Sequence, residues 1–105
     1  MRFLMKVEMP VEKANELAEE GRLGETIQSI LEDLEPEAAY FTTSNGERGG
    51  YIIVNLEDAS EIPAFAEPWF LALEANVDFV PVMTPEDLEK AGPGIERAVK
   101  KFASE

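Results

Sequence analysis

The chain has 105 residues, a length typical of one domain with one hydrophobic core. Its 22 acidic and 9 basic residues give a formal net charge of -13, which repels nucleic-acid phosphate and anionic membrane surfaces, so neither is expected as a partner. The sequence contains no cysteine and no histidine, which excludes disulfides, thiolate nucleophiles, imidazole bases and the common zinc sites, and we expect no metal and no cofactor.

The first third of the chain predicts a strand followed by an interrupted helical layer. Residues 2–9 alternate between apolar and mixed positions, which indicates a strand that ends at Pro10. Residues 11–20 have the apolar spacing of a helix. Two glycines then break the pattern before a second amphipathic segment that stops at Pro36.

A β-hairpin is predicted in the middle of the chain. The apolar and aromatic runs Ala38 to Thr43 and Tyr51 to Leu56 flank a polar, glycine-rich segment from Ser44 to Gly50. Within it, Asn45-Gly46 readily supplies the positive φ angles of a chain reversal. The two runs should therefore pair in antiparallel fashion.

A second helix and a fourth strand follow the hairpin. Ser60 is a plausible N-cap for a helix over residues 61–73, which Pro68 should bend or delay. Residues 76–83 alternate as a strand, and Pro81 favours a position at a sheet edge. The residues expected to pack the second helix are Phe65, Trp69, Phe70 and Leu73.

The C-terminal residues predict two short helices. Thr84 followed by a proline and two acids is a strong helix start, and a helix over 85–91 should end at Gly92-Pro93-Gly94. A last helix to about residue 103 has an apolar stripe that must pack against something. We expect one α+β domain over residues 1–105, with a core over 1–84 and a helical extension over 85–105.

The element order predicts a ferredoxin-like βαββαβ fold with an antiparallel four-stranded sheet in the order 4-1-3-2 and both helices on one face. Alternation assigns one set of side chains to the helix-covered face: Phe3, Met5, Val7, Phe41, Ile52, Val54, Leu56, Val77 and Phe79. It assigns a more mixed set to the opposite face: Leu4, Lys6, Glu8, Tyr40, Thr42, Tyr51, Ile53, Asn55, Asp78, Val80 and Val82.

The second face carries the candidate functional residues. It is too apolar for free solvent and too polar for a dry core, so we expect a homodimer with facing sheets that retains a ligand cleft. The candidates for catalysis are Lys6, Glu8 and Asp78, and those for ligand binding are Tyr40, Tyr51 and Asn55. Solvated charges, ordinary strand tyrosines and strand-end caps are the alternative interpretations of the same residues.

Three segments resemble a known family. Residues 3–10 (Phe-Leu-Met-Lys-Val-Glu-Met-Pro), 68–70 (Pro-Trp-Phe) and 77–88 (Val-Asp-Phe-Val-Pro-Val-Met-Thr-Pro-Glu-Asp-Leu) look like those of small uncharacterised bacterial proteins of the dimeric α+β barrel superfamily. The layout is also similar to that of muconolactone isomerases. The resemblance implies a dimeric barrel, and the superfamily includes monooxygenases, isomerases, cyclases, haem-degrading enzymes and ligand-binding modules. Because the chain has no histidine, the axial haem ligand of the haem-degrading members is missing.

Three functional hypotheses follow for a soluble, cytoplasmic protein. The first is a small-molecule-binding protein whose cleft takes an aromatic or polyketide-like ligand. The second is a cofactor-independent isomerase, cyclase or monooxygenase-like enzyme, with Glu8 or Asp78 as base and Lys6 or a tyrosine stabilising an enolate. The third is a structural role in subunit interaction. No residue pair in the sequence demands catalysis, so binding is the preferred hypothesis.

Overall fold

The fold is described by a computed structural model that covers residues 1–103. It contains four strands, five α-helices and one turn of 3₁₀ helix within these residues. In chain order they are β1 (Arg2–Met9), α1 (Val11–Glu19), α2 (Leu23–Leu34), β2 (Ala38–Ser44), β3 (Glu47–Asn55), a 3₁₀ turn (Ala59–Glu61), α3 (Ile62–Leu73), β4 (Asn76–Pro81), α4 (Pro85–Lys90) and α5 (Gly92–Phe102). None of these helices is long and apolar enough to cross a bilayer.

The four strands form one antiparallel sheet in the order β2-β3-β1-β4. This order is the predicted 4-1-3-2 arrangement, and the protein is an α+β protein with a ferredoxin-like layout. The two central strands, β1 and β3, pair along their whole length from Arg2 opposite Asn55 to Met9 opposite Arg48. As predicted, Pro81 lies on an edge strand, β4, where a missing N–H is tolerated.

The hydrophobic core lies between one face of the sheet and helices α1, α2 and α3. Alternate residues of the two central strands are buried there, as the period of two in the sequence predicts. The largest fully buried side chains are Trp69, Met5, Met9, Ile52, Leu56, Leu73, Val7 and Val54. The indole N–H of Trp69 has no hydrogen-bond partner within residues 1–103.

The hairpin is tighter than the sequence predicts. The predicted loop extends to Gly50, whereas β3 begins at Glu47 and the turn consists of Asn45 and Gly46, with φ angles of 53° and 78°. Two successive residues with positive φ give the type I′ turn that matches the twist of paired strands. Gly49 and Gly50 belong to the strand because their backbones pair with both neighbouring strands.

The entry into α3 is also different from the prediction. Asp58, not Ser60, is the capping residue, and its side chain accepts a hydrogen bond from the Ser60 N–H while the Glu61 side chain accepts bonds from the Glu57 and Asp58 N–H groups. The helix then runs from Ile62 to Leu73 through Pro68 without interruption, so this proline does not delay its start.

Two aromatic side chains pack less well than expected. Phe70, expected to pack against the core, is 40% exposed because the neighbouring Trp69 takes the inward position on α3. Phe41, assigned to the helix-covered face, is 49% exposed. It lies on the edge strand β2 and packs across Gly50, which contributes no side chain.

Helices α4 and α5 form a projection that we call the C-terminal arm (residues 85–102). Thr84 caps α4 as predicted, and it forms a capping box in which Asp87 is the reciprocal partner. The predicted break at Gly92-Pro93-Gly94 is instead the first turn of α5, and only Ala91 separates the two helices. The last two residues of the expected extension, 104 and 105, lie outside the described part of the chain.

Candidate functional site

The sheet face opposite the helices is uncovered in the single chain, and we call it the open face. It consists of the side chains that alternate with the buried ones on each strand. Burial supports the assignment, because Lys6 is exposed between the buried Met5 and Val7, and Tyr51 is exposed beside the buried Ile52. The backbone register determines which of these side chains are neighbours.

Four of the six candidate residues lie in one row across the sheet. Tyr40 on β2 pairs with Tyr51 on β3, Tyr51 pairs with Lys6 on β1, and Lys6 pairs with Asp78 on β4. Directly opposed residues of antiparallel strands have Cβ atoms about 5 Å apart, so the four residues are successive neighbours across the sheet. The row therefore combines two phenol rings, one ammonium group and one carboxylate on a single line.

Lys6 forms no ion pair with any residue of the described chain. The salt bridges within residues 1–103 join Arg2 to Glu37, Lys13 to Glu74 and Arg22 to Glu20. Asp78 is the register partner of Lys6, but their charged atoms are not within 4.0 Å of each other. In a protein with a net charge of -13, this leaves a cationic group available on the open face.

An apolar row lies beside the row that contains Lys6. Ala38, Ile53, Leu4 and Val80 are register partners across β2, β3, β1 and β4. Ile53, Leu4 and Val80 are half-buried by their neighbours although no helix covers them. The open face therefore offers a smooth apolar strip next to polar and aromatic groups, which is the chemistry of many small-molecule sites.

Glu8 holds the hairpin turn. Its Oε2 atom accepts hydrogen bonds of 2.7 Å from both Ser44 Oγ and Asn45 Nδ2. The register places Glu8 opposite Gly49, so no β3 side chain separates the carboxylate from the turn. This geometry gives Glu8 a structural function and places it next to the row of Lys6 rather than within it.

Asn55 is separated from the other candidates. It pairs with Arg2, four residues along β1 from Lys6, which corresponds to about 13 Å along the strand. Its Nδ2 donates a 2.9 Å hydrogen bond to Glu37, and its Oδ1 accepts one of 3.2 Å from the N-terminal amine. The Arg2 guanidinium completes this network through Nε, which lies 2.9 Å and 3.0 Å from the two Glu37 oxygens.

The partners of Glu8 and Asn55 were not identified by the sequence analysis. Ser44 and Asn45 were assigned only to the turn, and Glu37 was assigned no contact. No local pattern in the sequence indicates the first pair, because the register that places Glu8 opposite Gly49 and brings the turn within reach of its side chain depends on pairing between distant residues. The network of Arg2, Glu37 and Asn55 joins residues 18 to 53 positions apart and depends on tertiary pairing.

Two carboxyl groups have a lowered pKa, and both are helix caps rather than site residues. The Ser60 N–H bonded to Asp58 lowers the pKa of that carboxyl, with a further contribution from the Ser60 hydroxyl. The Thr84 N–H similarly lowers the pKa of Asp87. Both carboxylates therefore remain charged at neutral pH; Asp58 stabilises the 3₁₀ turn before α3, and Asp87 stabilises the first turn of α4.

Two grooves lie in the helix layer. A shallow apolar groove of about 460 Å³ runs along one side of α2 between Gly24 and Glu32. It contains none of the candidate residues and a single charged group. No cluster of three metal-ligating side chains is present among residues 1–103. Neither groove involves the open face.

A comparison with curated proteins finds no match. A family model does match: it is described as a domain of unknown function (DUF3303), and it covers residues 1–95. The matched region includes all four strands, the three helices of the core and the whole of α4, but only the first turn of α5. The chain therefore belongs to the DUF3303 family.

Proposed function

We propose that this protein is a cytoplasmic homodimer that binds a small planar aromatic or polyketide-like ligand carrying an anionic group on the open face. The observation that carries the proposal is the row of Tyr40, Tyr51, Lys6 and Asp78. In this proposal the ammonium group of Lys6 binds the anionic group, while the tyrosine rings and the apolar row contact the ring system.

The apolar row supports the homodimer. Leu4, Ile53 and Val80 lie at the centre of a face that no element of the same chain covers. Burial of such a surface contributes about 25 cal/mol per Å² of apolar area to the free energy of association. A second copy of the chain offers a self-complementary partner. The dimeric α+β barrel, which the sequence resembles, brings two such sheets to face each other across the dimer, and we place this chain in that superfamily as part of the proposal.

Ligand binding can be tested with a panel of aromatic carboxylates and phenols in a thermal-shift screen. A ligand at 100 times its dissociation constant adds about 2.7 kcal/mol to the stability of the folded state. We expect Lys6→Met to abolish the shift for the carboxylates. Lys13→Met is the matched control, because Lys13 lies on α1 and pairs with Glu74 at 3.8 Å. An equal response of the two variants would contradict the proposed site.

A cofactor-independent isomerase or cyclase is the second candidate function. The direct pairing of Lys6 with Asp78 favours it, since a carboxylate base and a cation on neighbouring strands are suited to proton transfer next to a carbonyl. In such a reaction Asp78 removes the proton from the carbon next to the carbonyl, and Lys6 stabilises the enolate oxygen. The proton then returns to a different carbon of the same molecule, so no oxidant or reductant is needed.

Proton exchange separates this enzyme from a binding protein. An enzyme incorporates deuterium from D₂O into a bound ketone at the carbon next to the carbonyl, which NMR detects directly. We expect Asp78→Asn to lose exchange and to retain binding. A ligand that binds without exchange in the unsubstituted protein would favour the binding function.

The homodimer is tested by sedimentation velocity at micromolar concentration. We expect a mass of two chains, and a single-chain mass would contradict the proposal. A dimer that responds to no compound of a broad library would favour the third hypothesis, a structural role in subunit interaction.

A further inference from the structure

The C-terminal arm exposes an apolar stripe that packs against no other part of the described chain. Every residue from Ile95 to Phe102 is exposed. Ile95, Val99 and Phe102 are 53%, 56% and 76% exposed, and they lie on one side of α5 at the spacing i, i+4, i+7. Leu88 on α4 continues the stripe and is 53% exposed. Scattered exposed apolar residues are normal, but a continuous stripe marks an interaction surface.

The arm points away from its own domain. The molecule measures 63 × 28 × 20 Å and has a radius of gyration of 18.0 Å, compared with about 13 Å for a compact chain of 100 residues. The link between α4 and α5 is the single residue Ala91, whose φ and ψ of -78° and -11° are helical. The Ile95 N–H donates to the Ala91 carbonyl across this link. No reversal is present that would return α5 to its own sheet.

The arm is long enough to cover another sheet. Its 18 residues span about 27 Å at the helical rise of about 1.5 Å per residue. A four-stranded sheet is about 14 Å wide between its outer strand axes. An arm from a second chain can therefore cross the whole open face.

Charge favours the sheet domain over a second α5 helix as the docking partner of α5. Helix α5 contains three basic residues, Arg97, Lys100 and Lys101, and one acidic residue, Glu96. Residues 1–84 contain 17 acidic and 5 basic residues. Two α5 helices repel each other, whereas α5 and the sheet domain attract each other at long range.

We propose that the apolar stripe of α5 docks on the open face of a second copy of this chain. There it covers the row of Tyr40, Tyr51, Lys6 and Asp78 and closes the ligand cleft of that second copy. This inference rests on the proposed homodimer and adds the element that covers the site. The two sheets of the proposed homodimer then face each other with the arms between them, and each subunit contributes its sheet as the floor of one site and its arm as the cover of the other. In this arrangement the site is incomplete in a single chain.

Engineered cysteines test the docking directly, because the chain has no cysteine of its own. A chain with Val99→Cys is mixed with chains carrying Tyr40→Cys, Ile53→Cys or Val80→Cys, which sample β2, β3 and β4 of the open face. After mild oxidation we expect a covalent dimer of mixed composition with at least one of the three. Glu96→Cys is the matched control on the polar side of α5, and it should give at least fivefold less cross-linked product.

The outcomes separate this inference from the homodimer itself. A dimer by sedimentation without these cross-links would overturn the docking of the arm and leave the homodimer intact, whereas a monomer would overturn both. Efficient cross-linking of Val99→Cys chains to each other would indicate pairing between arms and would also overturn the inference. So would a disulfide within one chain that carries both Val99→Cys and Ile53→Cys.

The dissociation constant of the dimer provides a second test. We expect Val99→Gln to weaken the dimer about tenfold or more, since the free energy of burying a valine corresponds to a factor of that size. Glu96→Gln should leave the dimer dissociation constant within a factor of about two. Circular dichroism shows whether each variant keeps its helix content, and equal dissociation constants for two folded variants would overturn the inference.

Discussion

The carboxylate of Glu8 on β1 accepts a 2.7 Å hydrogen bond from Ser44 Oγ at the end of β2, although β3 lies between the two strands. The contact is possible because Gly49, the β3 residue opposite Glu8, has no side chain. One sequence feature, a glycine pair after a hairpin turn, thus permits a polar contact that spans three strands. This contact fixes the turn above the same face that carries the row of Tyr40, Tyr51, Lys6 and Asp78.

Removal of the Glu8 carboxylate should loosen the hairpin without unfolding the protein. Glu8→Ala loses the hydrogen bonds from Ser44 and Asn45, and we expect a loss of about 1–2 kcal/mol in the free energy of unfolding. Urea titration followed by circular dichroism measures this change. Glu16→Ala on the exposed side of α1 is the control and should change stability by less than about 0.5 kcal/mol.

The two glycines of β3 should differ in their tolerance of a methyl group. A Cβ at Gly49 would lie 2.8 Å from the Val7 carbonyl oxygen, a backbone atom that cannot move without disrupting the pairing of β1 and β3. At Gly50 the closest atoms, at 3.0 Å and 3.1 Å, belong to the half-exposed ring of Phe41, which can rotate away. We expect Gly49→Ala to cost about 1–3 kcal/mol and Gly50→Ala to cost less. The opposite order in urea titrations would contradict this account.

The Asp58 cap of the 3₁₀ turn that precedes α3 should make stability depend on pH in the acidic range. Because the folded pKa of Asp58 is below its ordinary value of 3.8, the unfolded chain binds more protons as the pH falls. The contribution of the charged Asp58 is complete well above pH 3.8 and is lost as the pH falls through the lower folded value. The stability difference between the unsubstituted protein and Asp58→Asn should therefore be constant from pH 7 to about 5 and shrink below pH 3.8.

Asp87→Asn provides the comparison for this pH dependence. Its capping box begins α4, in the arm that projects from the domain. We expect this substitution to lower helix content measured by circular dichroism without changing the urea midpoint of the sheet domain. The stability difference between the unsubstituted protein and Asp58→Asn is compared across pH values at which both proteins are folded. If that difference does not change with pH, the cap does not depend on the charge of Asp58.

Trp69 should tolerate phenylalanine far better than alanine. The side chain is fully buried, and its indole N–H lacks a partner within the described residues. Trp69→Phe removes this unsatisfied donor, which partly offsets the lost volume, and we expect a cost below about 2 kcal/mol. Trp69→Ala leaves a cavity and should cost about 3–5 kcal/mol. Similar losses for the two variants would indicate that the indole N–H is satisfied in solution.

The sequence by itself determined the order of the elements and the two faces of the sheet. These features follow from local rules: the alternation around Lys6 separates buried from exposed side chains, Asn45-Gly46 permits the turn, and Thr84-Pro85 begins a helix. Each rule acts within a few residues, so no tertiary information is needed. The joint presence of Lys6, Tyr40, Tyr51 and Asp78 on the open face also followed from alternation.

The tertiary structure decided which candidates meet and which are occupied elsewhere. Register between strands put Tyr40, Tyr51, Lys6 and Asp78 in one row, about 13 Å from Asn55, and a glycine opposite Glu8 left its carboxylate in contact with the turn. Register depends on pairing between residues far apart in the chain, so local patterns do not fix it. The exposure of the arm was also decided by the tertiary structure. The sequence predicts the apolar stripe of α5 but not what the stripe packs against. The stripe faces solvent because the chain's other helices already cover the core.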